Sequence, residues 1–160
     1  MTTAGLKVWL ETYRDQVREI EHMQELFDTL DSKATSPGTP TLDGLPRSPG
    51  YAVDRMGGIV SELDELRAEI ADLQAKATET RHEIQDAIKQ ITGPNWPDRR
   101  AVLRFRYLLC LEWADVTNAL FGSEPDYLSK EDSYLRRTFL LHRDALQMLA
   151  GIVGSEKQQK

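Results

Sequence analysis

Apolar residues, with one threonine among them, recur at alternating steps of three and four along the stretch from Met56 to Ile91. This spacing keeps one stripe of a helix facing a partner helix, as in coiled coils. The pattern therefore predicts a single long helix, from about Val53 to Ile91, that has to bury its stripe. The residues of this long seam are Met56, Ile59, Leu63, Leu66, Ile70, Leu73, Ala77, Thr80, Ile84, Ala87 and Ile91.

A second seam precedes the long one and predicts an amphipathic helix from Leu6 to Leu30, with the polar Gln24 interrupting its stripe. The stretch 31–52 carries four prolines and three glycines and cannot continue a helix, so it predicts a connector. Its Leu42, Leu45 and Tyr51 leave two alternatives open, a flexible loop or one ordered against the helices. Residues 1–92 are therefore predicted to form a long antiparallel, coiled-coil-like helical hairpin.

The two predicted helices differ in length. At 1.5 Å per residue the first is roughly 37 Å long and the second roughly 54 Å. An antiparallel partner of that length covers the second helix only as far as about Arg81. Ile84, Ile88 and Ile91 then need another cover, either from the helices that follow or from a second subunit in a homodimer.

The C-terminal part, residues 93–153, predicts three further helices. Gly93 to Pro97 breaks the long helix, and the next one runs from about Pro97 to Leu109. A short helix follows from Trp113 to Phe121, with Gly122 as its C-cap. The last helix, introduced by a capping box of Ser129 and Asp132, reaches about Ile152, and residues 154–160 are predicted to form a flexible tail.

This order is typical of a helix-turn-helix domain and makes the whole chain all-α. Trp113, Val116 and Leu120 occupy one apolar face of the short helix, which indicates that Trp113 is a core residue. On the last helix an inward face is predicted, leaving polar and basic residues outside. The inward residues are Tyr134, Thr138, Leu141, Ala145, Leu149 and Ile152.

Arginine suits guanine edges and phosphates because its planar fork donates two hydrogen bonds at once. The outward residues of the last helix are therefore the candidate DNA contacts: Lys130, Ser133, Arg136, Arg137 and Arg143. Arginines of the preceding helix are candidate phosphate contacts: Arg99, Arg100 and Arg104. The alternative for both sets is a solvated surface or pairing with the acidic hairpin.

The net charge of −6 is unevenly distributed along the chain. Residues 1–96 carry 10 basic and 17 acidic side chains, whereas residues 97–160 carry 10 basic and 9 acidic ones. A near-neutral C-terminal part can present a local basic face to a phosphate backbone, although it binds more weakly than a plainly basic domain.

The sequence contains few residues that could form a disulfide, a metal site or a catalytic site. One cysteine, Cys110, and three scattered histidines predict no disulfide and no metal site, and no phosphate-binding loop or nucleophile–base pair is recognisable. We therefore expect no enzymatic activity and no cofactor. With no apolar run of the length that a membrane span needs, we also expect a cytoplasmic protein without membrane contact.

Three motifs carry a resemblance to a known family: Arg104 to Tyr107, Leu111 to Val116, and His142 to Leu146. Here the chain resembles sigma-factor-like phage regulators related to the ArpU and RinA late-transcription activators. Leu42 to Pro46, followed by Asp54 and Arg55, is similar to the connector of a small phage and prophage family with a helical N-terminal half.

The resemblance implies a helix-turn-helix like region four of sigma factors, whose last helix enters the major groove of promoter DNA. Glu112 stands where the family has a small or hydroxyl residue, and the turn from Gly122 to Asp132 is longer than a compact helix-turn-helix needs. The implied function is a phage or prophage transcriptional regulator in a bacterial host, with double-stranded DNA and host RNA polymerase as partners. Two alternatives remain: a helical interaction module that does not bind DNA, and a small-terminase-like packaging protein.

Overall fold

The computed structural model describes residues 2–35 and 50–156, and the side-chain surroundings of 2–35 and 57–154. All regular secondary structure in these ranges is helical, which confirms the all-α prediction. In the same ranges, no helix combines the length and the apolar character needed to cross a membrane. The helices are α1 (Thr3–Thr35), α2 (Gly50–Lys89), α3 (Trp96–Leu103), α4 (Trp113–Phe121) and α5 (Glu131–Glu156).

Helices α1 and α2 extend into the predicted connector from both sides. α1 continues to Thr35, since the residues added beyond Leu30 contain neither proline nor glycine. α2 begins at Gly50, directly after Pro49. Residues 36–49, with Leu42 and Leu45, lie outside the described residues. So do residues 157–160 of the predicted tail, whose first residues belong to α5.

The chain divides into two compact units. Unit 1 comprises Met1–Asp15 and Ala77–Lys160, and unit 2 comprises Gln16–Lys76. Each unit therefore takes a part of α1 and a part of α2. The sequence predicts a boundary after residue 92, whereas these units assign the end of α2 to the same body as the three C-terminal helices.

One core holds unit 1 together. The start of α1, the end of α2 and helices α3 to α5 all contribute to it, with Tyr107 as its largest member. The residues of this core with no exposed surface are Leu6, Leu10, Ile84, Ile88, Ile91, Val102, Leu103, Val116, Ala145 and Leu149.

The three isoleucines at and just beyond the end of α2, Ile84, Ile88 and Ile91, are covered within the chain. The C-terminal helices share their core, as one of the two alternatives expected. Leu6 and Leu10 share it as well, although the predicted helix lengths placed the start of α1 only as far along α2 as about Arg81. The estimate was too short because α1 has 33 residues and is therefore roughly 50 Å long.

Unit 2 contains only segments of α1 and α2. Among its described residues, Leu63 and Leu66 of the long seam are buried. Phe27 of α1 lies beneath the Arg67 guanidinium of α2, with 5.3 Å between the guanidinium carbon and the ring centre. Arg67 is also 3.2 Å from a carboxylate oxygen of Asp64.

The predicted break between α2 and α3 is present, and its backbone explains it. Gly93 and Asn95 adopt positive φ angles of 93° and 54°, and α3 begins at Trp96 with a proline in its first turn. The predicted third helix then departs from the α form. Residues Arg104–Leu108 form a π-helical turn, and Cys110 turns the chain at φ 54° before α4.

Candidate nucleic-acid interface

Helix α5 separates its two faces as the sequence predicts. Each predicted inward residue is buried or half-buried, and Ser133, Arg136, Arg137 and Arg143 are exposed. Positions 133, 136, 137, 140 and 143 follow helical spacing, so these exposed side chains share one side of the helix. We call Ser133, Arg136, Arg137, Leu140 and Arg143 the arginine face.

The cations around this face are not equivalent. Lys130 is 2.7 Å from a carboxylate oxygen of Asp126, and Arg143 is 3.1 Å from one of Asp144. The Arg137 guanidinium stacks on the Phe121 ring, with 4.7 Å between the guanidinium carbon and the ring centre. Neither Arg136 nor Arg137 has a carboxylate partner among the residues that the structure describes. These two are the cations best placed to meet a phosphate or a base.

The first turn of α5 is acidic. Glu131 and Asp132 are exposed there. Carboxylates at this end of a helix interact favourably with its dipole, but they repel phosphate. A contact with DNA through this helix would therefore use its middle, around Arg136 and Arg137, instead of its N-terminal turn.

The long turn before α5 is ordered by its own side chains. The Tyr134 hydroxyl donates to a carboxylate oxygen of Asp126 at 2.6 Å, and the Tyr134 ring lies 5.2 Å from Phe121 and 5.7 Å from Tyr127. Hydrogen bonds from Lys130 and Tyr134 lower the pKa of Asp126, and the bond to this carboxylate raises the pKa of Tyr134 to about 12. The turn therefore holds the start of α5 through one shared carboxylate.

The predicted capping box of Ser129 and Asp132 is wrong. The Ser129 hydroxyl donates instead to the main-chain carbonyl of Asp126 at 2.8 Å, within a short 3-10 turn. α5 begins only at Glu131, so Ser129 lies before the N-cap position. Local hydrogen bonding of a serine to a nearby carbonyl competes with capping.

Gly122 does end α4, as predicted, but for a different reason. Its φ of −61° is open to any residue, so a left-handed conformation does not select glycine here. A Cβ atom at this position would collide with the side-chain and main-chain oxygens of Asn118. The close approach of α4's last turn therefore requires glycine.

Two of the predicted phosphate contacts bind the protein's own backbone. Arg100 donates from Nε to the carbonyl of Ile91 at 2.9 Å and from Nη2 to that of Lys89, while its guanidinium stacks 4.2 Å from Trp96. Arg99 donates to the carbonyl of Pro94 at 2.8 Å. These bonds satisfy carbonyls at and beyond the end of α2, which favours a structural role.

Arg104 differs from these two arginines. It is half-buried at the start of the π-helical turn. The structure places it on the same segment as Tyr107, which lies in the core of unit 1. Contact with phosphate by Arg99, Arg100 or Arg104 stays a prediction.

Glu112, the residue that departs from the resembled family, joins three elements of unit 1. It occupies the N-cap position of α4 but makes no side-chain cap. Its carboxylate instead pairs with Arg14 of α1 and, at 3.3 Å, with Arg106. These two guanidinium groups, Arg14 first, hold the pKa of Glu112 below its usual range. Sequence reasoning did not find Arg14, because nothing in helical spacing relates it to Glu112.

Trp113 lies in an aromatic cluster, half-buried against the core of unit 1. Its ring packs edge-on against Phe139 at 4.9 Å and His142 at 4.8 Å, with the Arg106 guanidinium 4.8 Å from it. These contacts agree with the predicted structural role of the tryptophan. Phe139 contacts Trp113 and stays partly exposed.

Tyr107 and His142 form a buried pair at this cluster. The Tyr107 hydroxyl lies 2.9 Å from Nε2 of His142. Burial, with smaller effects from Lys7 and Arg106, lowers the pKa of His142 to about 4. Burial also raises the pKa of Tyr107. Near neutral pH the phenol therefore donates to a neutral imidazole.

No known protein family, curated protein or solved structure matches the chain. Within the parts of the chain that the structure describes, no cluster of histidine, cysteine and acidic side chains is arranged to hold a metal ion.

Protonation of His142 is expected to destabilise the fold. Its pKa is about 4 in the folded chain and about 6.5 in an unfolded one. The stability that depends on the neutral imidazole is therefore complete above pH 6.5 and lost as the pH falls toward 4. The loss amounts to about 2–3 kcal/mol. Urea unfolding followed by circular dichroism at several pH values measures it.

The matched control for this titration is His142→Gln. Its amide accepts a hydrogen bond from Tyr107 but does not titrate, so its stability should change less between pH 6.5 and 4 than that of the wild type. Equal changes in the two proteins over this window would show that the imidazole does not carry the effect.

Proposed function

We propose that this chain is a DNA-binding transcriptional regulator of phage or prophage genes, which contacts duplex DNA through the arginine face of α5. The observation that carries the proposal is the exposed pair Arg136 and Arg137, on a helix whose other side is packed into the core of unit 1. A rigid helix presenting cations without carboxylate partners suits a groove lined by phosphates. The resemblance of α3 to α5 to sigma-like regulators supports the same function.

The geometry also limits how strong this binding can be. Lys130 and Arg143 are paired with neighbouring carboxylates, so Arg136 and Arg137 supply most of the charge that phosphate can meet. The affinity should then change with salt with a logarithmic slope of about −2, against about −4 for the four predicted cations together. Tight binding requires a second contact, either another copy of the chain or RNA polymerase bound beside it.

Arg136→Ala with Arg137→Ala should abolish the preference of the chain for its DNA site. The site is first selected from a random duplex pool by the wild-type protein. Because each arginine contact to a guanine edge is worth about 1–3 kcal/mol, the ratio of specific to scrambled affinity should fall at least about tenfold. Fluorescence anisotropy with both duplexes measures this ratio, and circular dichroism checks that helicity is retained.

The control variant removes the same charge elsewhere. Arg18 and Arg81 are exposed on α1 and α2, and replacing both by alanine should leave the ratio unchanged. If the wild type enriches no duplex, or if the α5 variant keeps its discrimination, the DNA-binding assignment is rejected.

A helical hairpin of α1 and α2 is part of the proposal, as the element that binds a protein partner or a second copy. Its support is that the contacts between the two helices follow the order expected of an antiparallel pair. In unit 1 the start of α1 shares a core with the end of α2, and in unit 2 Phe27 contacts Arg67.

A second candidate function is a protein interaction module that does not bind DNA. Phe139 and Leu140 are 43% and 51% exposed beside the arginines of α5. Arginine with aromatic and aliphatic side chains is a composition typical of protein interfaces. Selection of no duplex by a folded wild-type chain would favour this function. A ring-shaped oligomer that binds DNA would favour a small-terminase-like protein instead.

A further inference from the structure

The seam between α1 and α2 is buried to different degrees in the two units. In unit 1, Leu6, Leu10, Ile84 and Ile88 have no exposed surface, and their core includes residues of α3 and α5. In unit 2 the same two helices continue, but only Leu63 and Leu66 are buried among its described residues. Burial is greater in unit 1 because α3 and α5 add a third helical layer to the seam there.

The remaining seam residues of unit 2 are half-buried. Two packed helices can bury only the stripe between them, and a further helix has to cover the shoulders of that stripe. Beside the seam, Leu26 and Val60 are 46% and 54% exposed. The half-buried residues are Val17, Ile20, Met23, Phe27, Leu30, Ile59, Ile70 and Leu73.

Unit 2 also carries the whole net charge of the chain. Residues 16–76 contain 6 basic and 12 acidic side chains, a net charge of −6, whereas the 14 basic and 14 acidic side chains of the other residues cancel. Exposed carboxylates of unit 2 on either helix include Glu19, Glu62, Glu65, Glu69 and Asp72. A strongly acidic surface around an apolar seam attracts cations and repels a second copy of itself.

Arg67 shows which side chain this surface accepts. Its guanidinium covers the Phe27 ring at 5.3 Å while one nitrogen is 3.2 Å from Asp64. An aromatic face and an adjacent carboxylate together bind a guanidinium by cation–π attraction and a charged hydrogen bond. An arginine from another protein would find exposed carboxylates beside the same seam, at Glu62, Glu65 and Asp72.

We propose that the uncovered side of the seam in unit 2 docks one amphipathic helix of a partner protein, with an apolar stripe flanked by arginines or lysines. The inference rests on the partner-binding part of the proposed function and adds the chemistry of the partner. The apolar stripe supplies the layer that α3 and α5 supply in unit 1, and the basic flanks meet the carboxylates. A second copy of this chain is disfavoured as the occupant, because each copy would bring a net charge of −6 from unit 2.

The test uses the full chain and a synthetic helical peptide with leucines at the seam positions of each heptad and arginines beside them. A scrambled peptide of identical composition keeps the charge and loses the apolar stripe. Fluorescence anisotropy should give at least about tenfold tighter binding for the amphipathic peptide, since it buries several leucines more. Equal binding of the two peptides would show attraction by charge alone and overturn the proposal.

Variants of exposed residues locate the docking surface without disturbing the fold. Leu26→Gln with Val60→Gln should weaken binding of the amphipathic peptide about tenfold, whereas Val8→Gln, at a 67% exposed position of unit 1, should leave it unchanged. Unchanged binding by the double variant overturns the proposal.

Two further outcomes name other occupants, and each overturns the proposal. A wild-type dimer in sedimentation that Leu26→Gln with Val60→Gln dissociates would assign the seam to a second copy. Tighter peptide binding after Leu42→Ser with Leu45→Ser would assign it to the chain's own connector. Arg136→Ala with Arg137→Ala should not affect binding of the peptide. A wild-type chain that binds the peptide but selects no DNA would therefore refute only the DNA-binding function.

Discussion

Replacing both Ile84 and Ile91 by aspartate is expected to unfold unit 1. Both side chains have no exposed surface, and they share a core with residues of α1, α3 and α5. Each new carboxylate would lose its water without gaining a partner, at a cost of several kcal/mol. Together the two costs are comparable with the whole stability of an ordinary domain, about 5–15 kcal/mol.

Thermal melting followed by far-ultraviolet circular dichroism measures this effect. The double variant should lose the cooperative transition of unit 1, and DNA binding or dimerisation with it, although no predicted DNA contact is touched. Val60→Asp places one such carboxylate at an exposed position of α2 and should melt within a few degrees of the wild type. A double variant as stable as that control would mean that the isoleucines face water.

A chain shortened to residues 93–160 is expected not to fold. It keeps helices α3 to α5 but lacks Leu6, Leu10 and the three isoleucines at and just beyond the end of α2. Burial of each such side chain contributes about 1.5–3 kcal/mol, so the loss of five is comparable with the whole stability of an ordinary domain. The proton–nitrogen correlation spectrum of the shortened chain should show the narrow dispersion of an unfolded protein.

The matched control removes residues 16–76 and bridges the gap with a glycine-rich linker. It keeps every residue of the unit 1 core and should give a well-dispersed spectrum. A folded 93–160 fragment would instead place the domain boundary after residue 92, as predicted from the sequence.

Helical periodicity predicted the larger part of this fold. Alternating steps of three and four identified α1, α2 and the two faces of α5, and the bounds of α4 agree with the prediction at both Trp113 and Phe121. Periodicity records which side of a helix is apolar, so it succeeds wherever burial decides the conformation. The π-helical turn at Arg104–Leu108 has no such signature. Its main-chain hydrogen bonds span one residue more than those of an α-helix, and this requires no particular residue types.

The candidate site was predictable only in part. Exposure of Arg136 and Arg137 follows from the helical wheel, but the pairing of Lys130 with Asp126 depends on how a turn of irregular structure folds back. Arg100 illustrates a second limit. A guanidinium binds phosphate and main-chain carbonyls with the same donors, and only the position of the end of α2 decides between them. The family resemblance stays a prediction.

The core of unit 1 joins residues that are far apart in the sequence and are therefore synthesised at different times. Leu6 and Leu10 leave the ribosome long before Ala145 and Leu149, with which they share that core. Contacts so distant in sequence slow folding compared with helical bundles built from neighbouring helices. Until α5 has emerged, the nascent chain exposes the isoleucines of α2, and such transient apolar surfaces are the ones that chaperones bind and that aggregate in their absence.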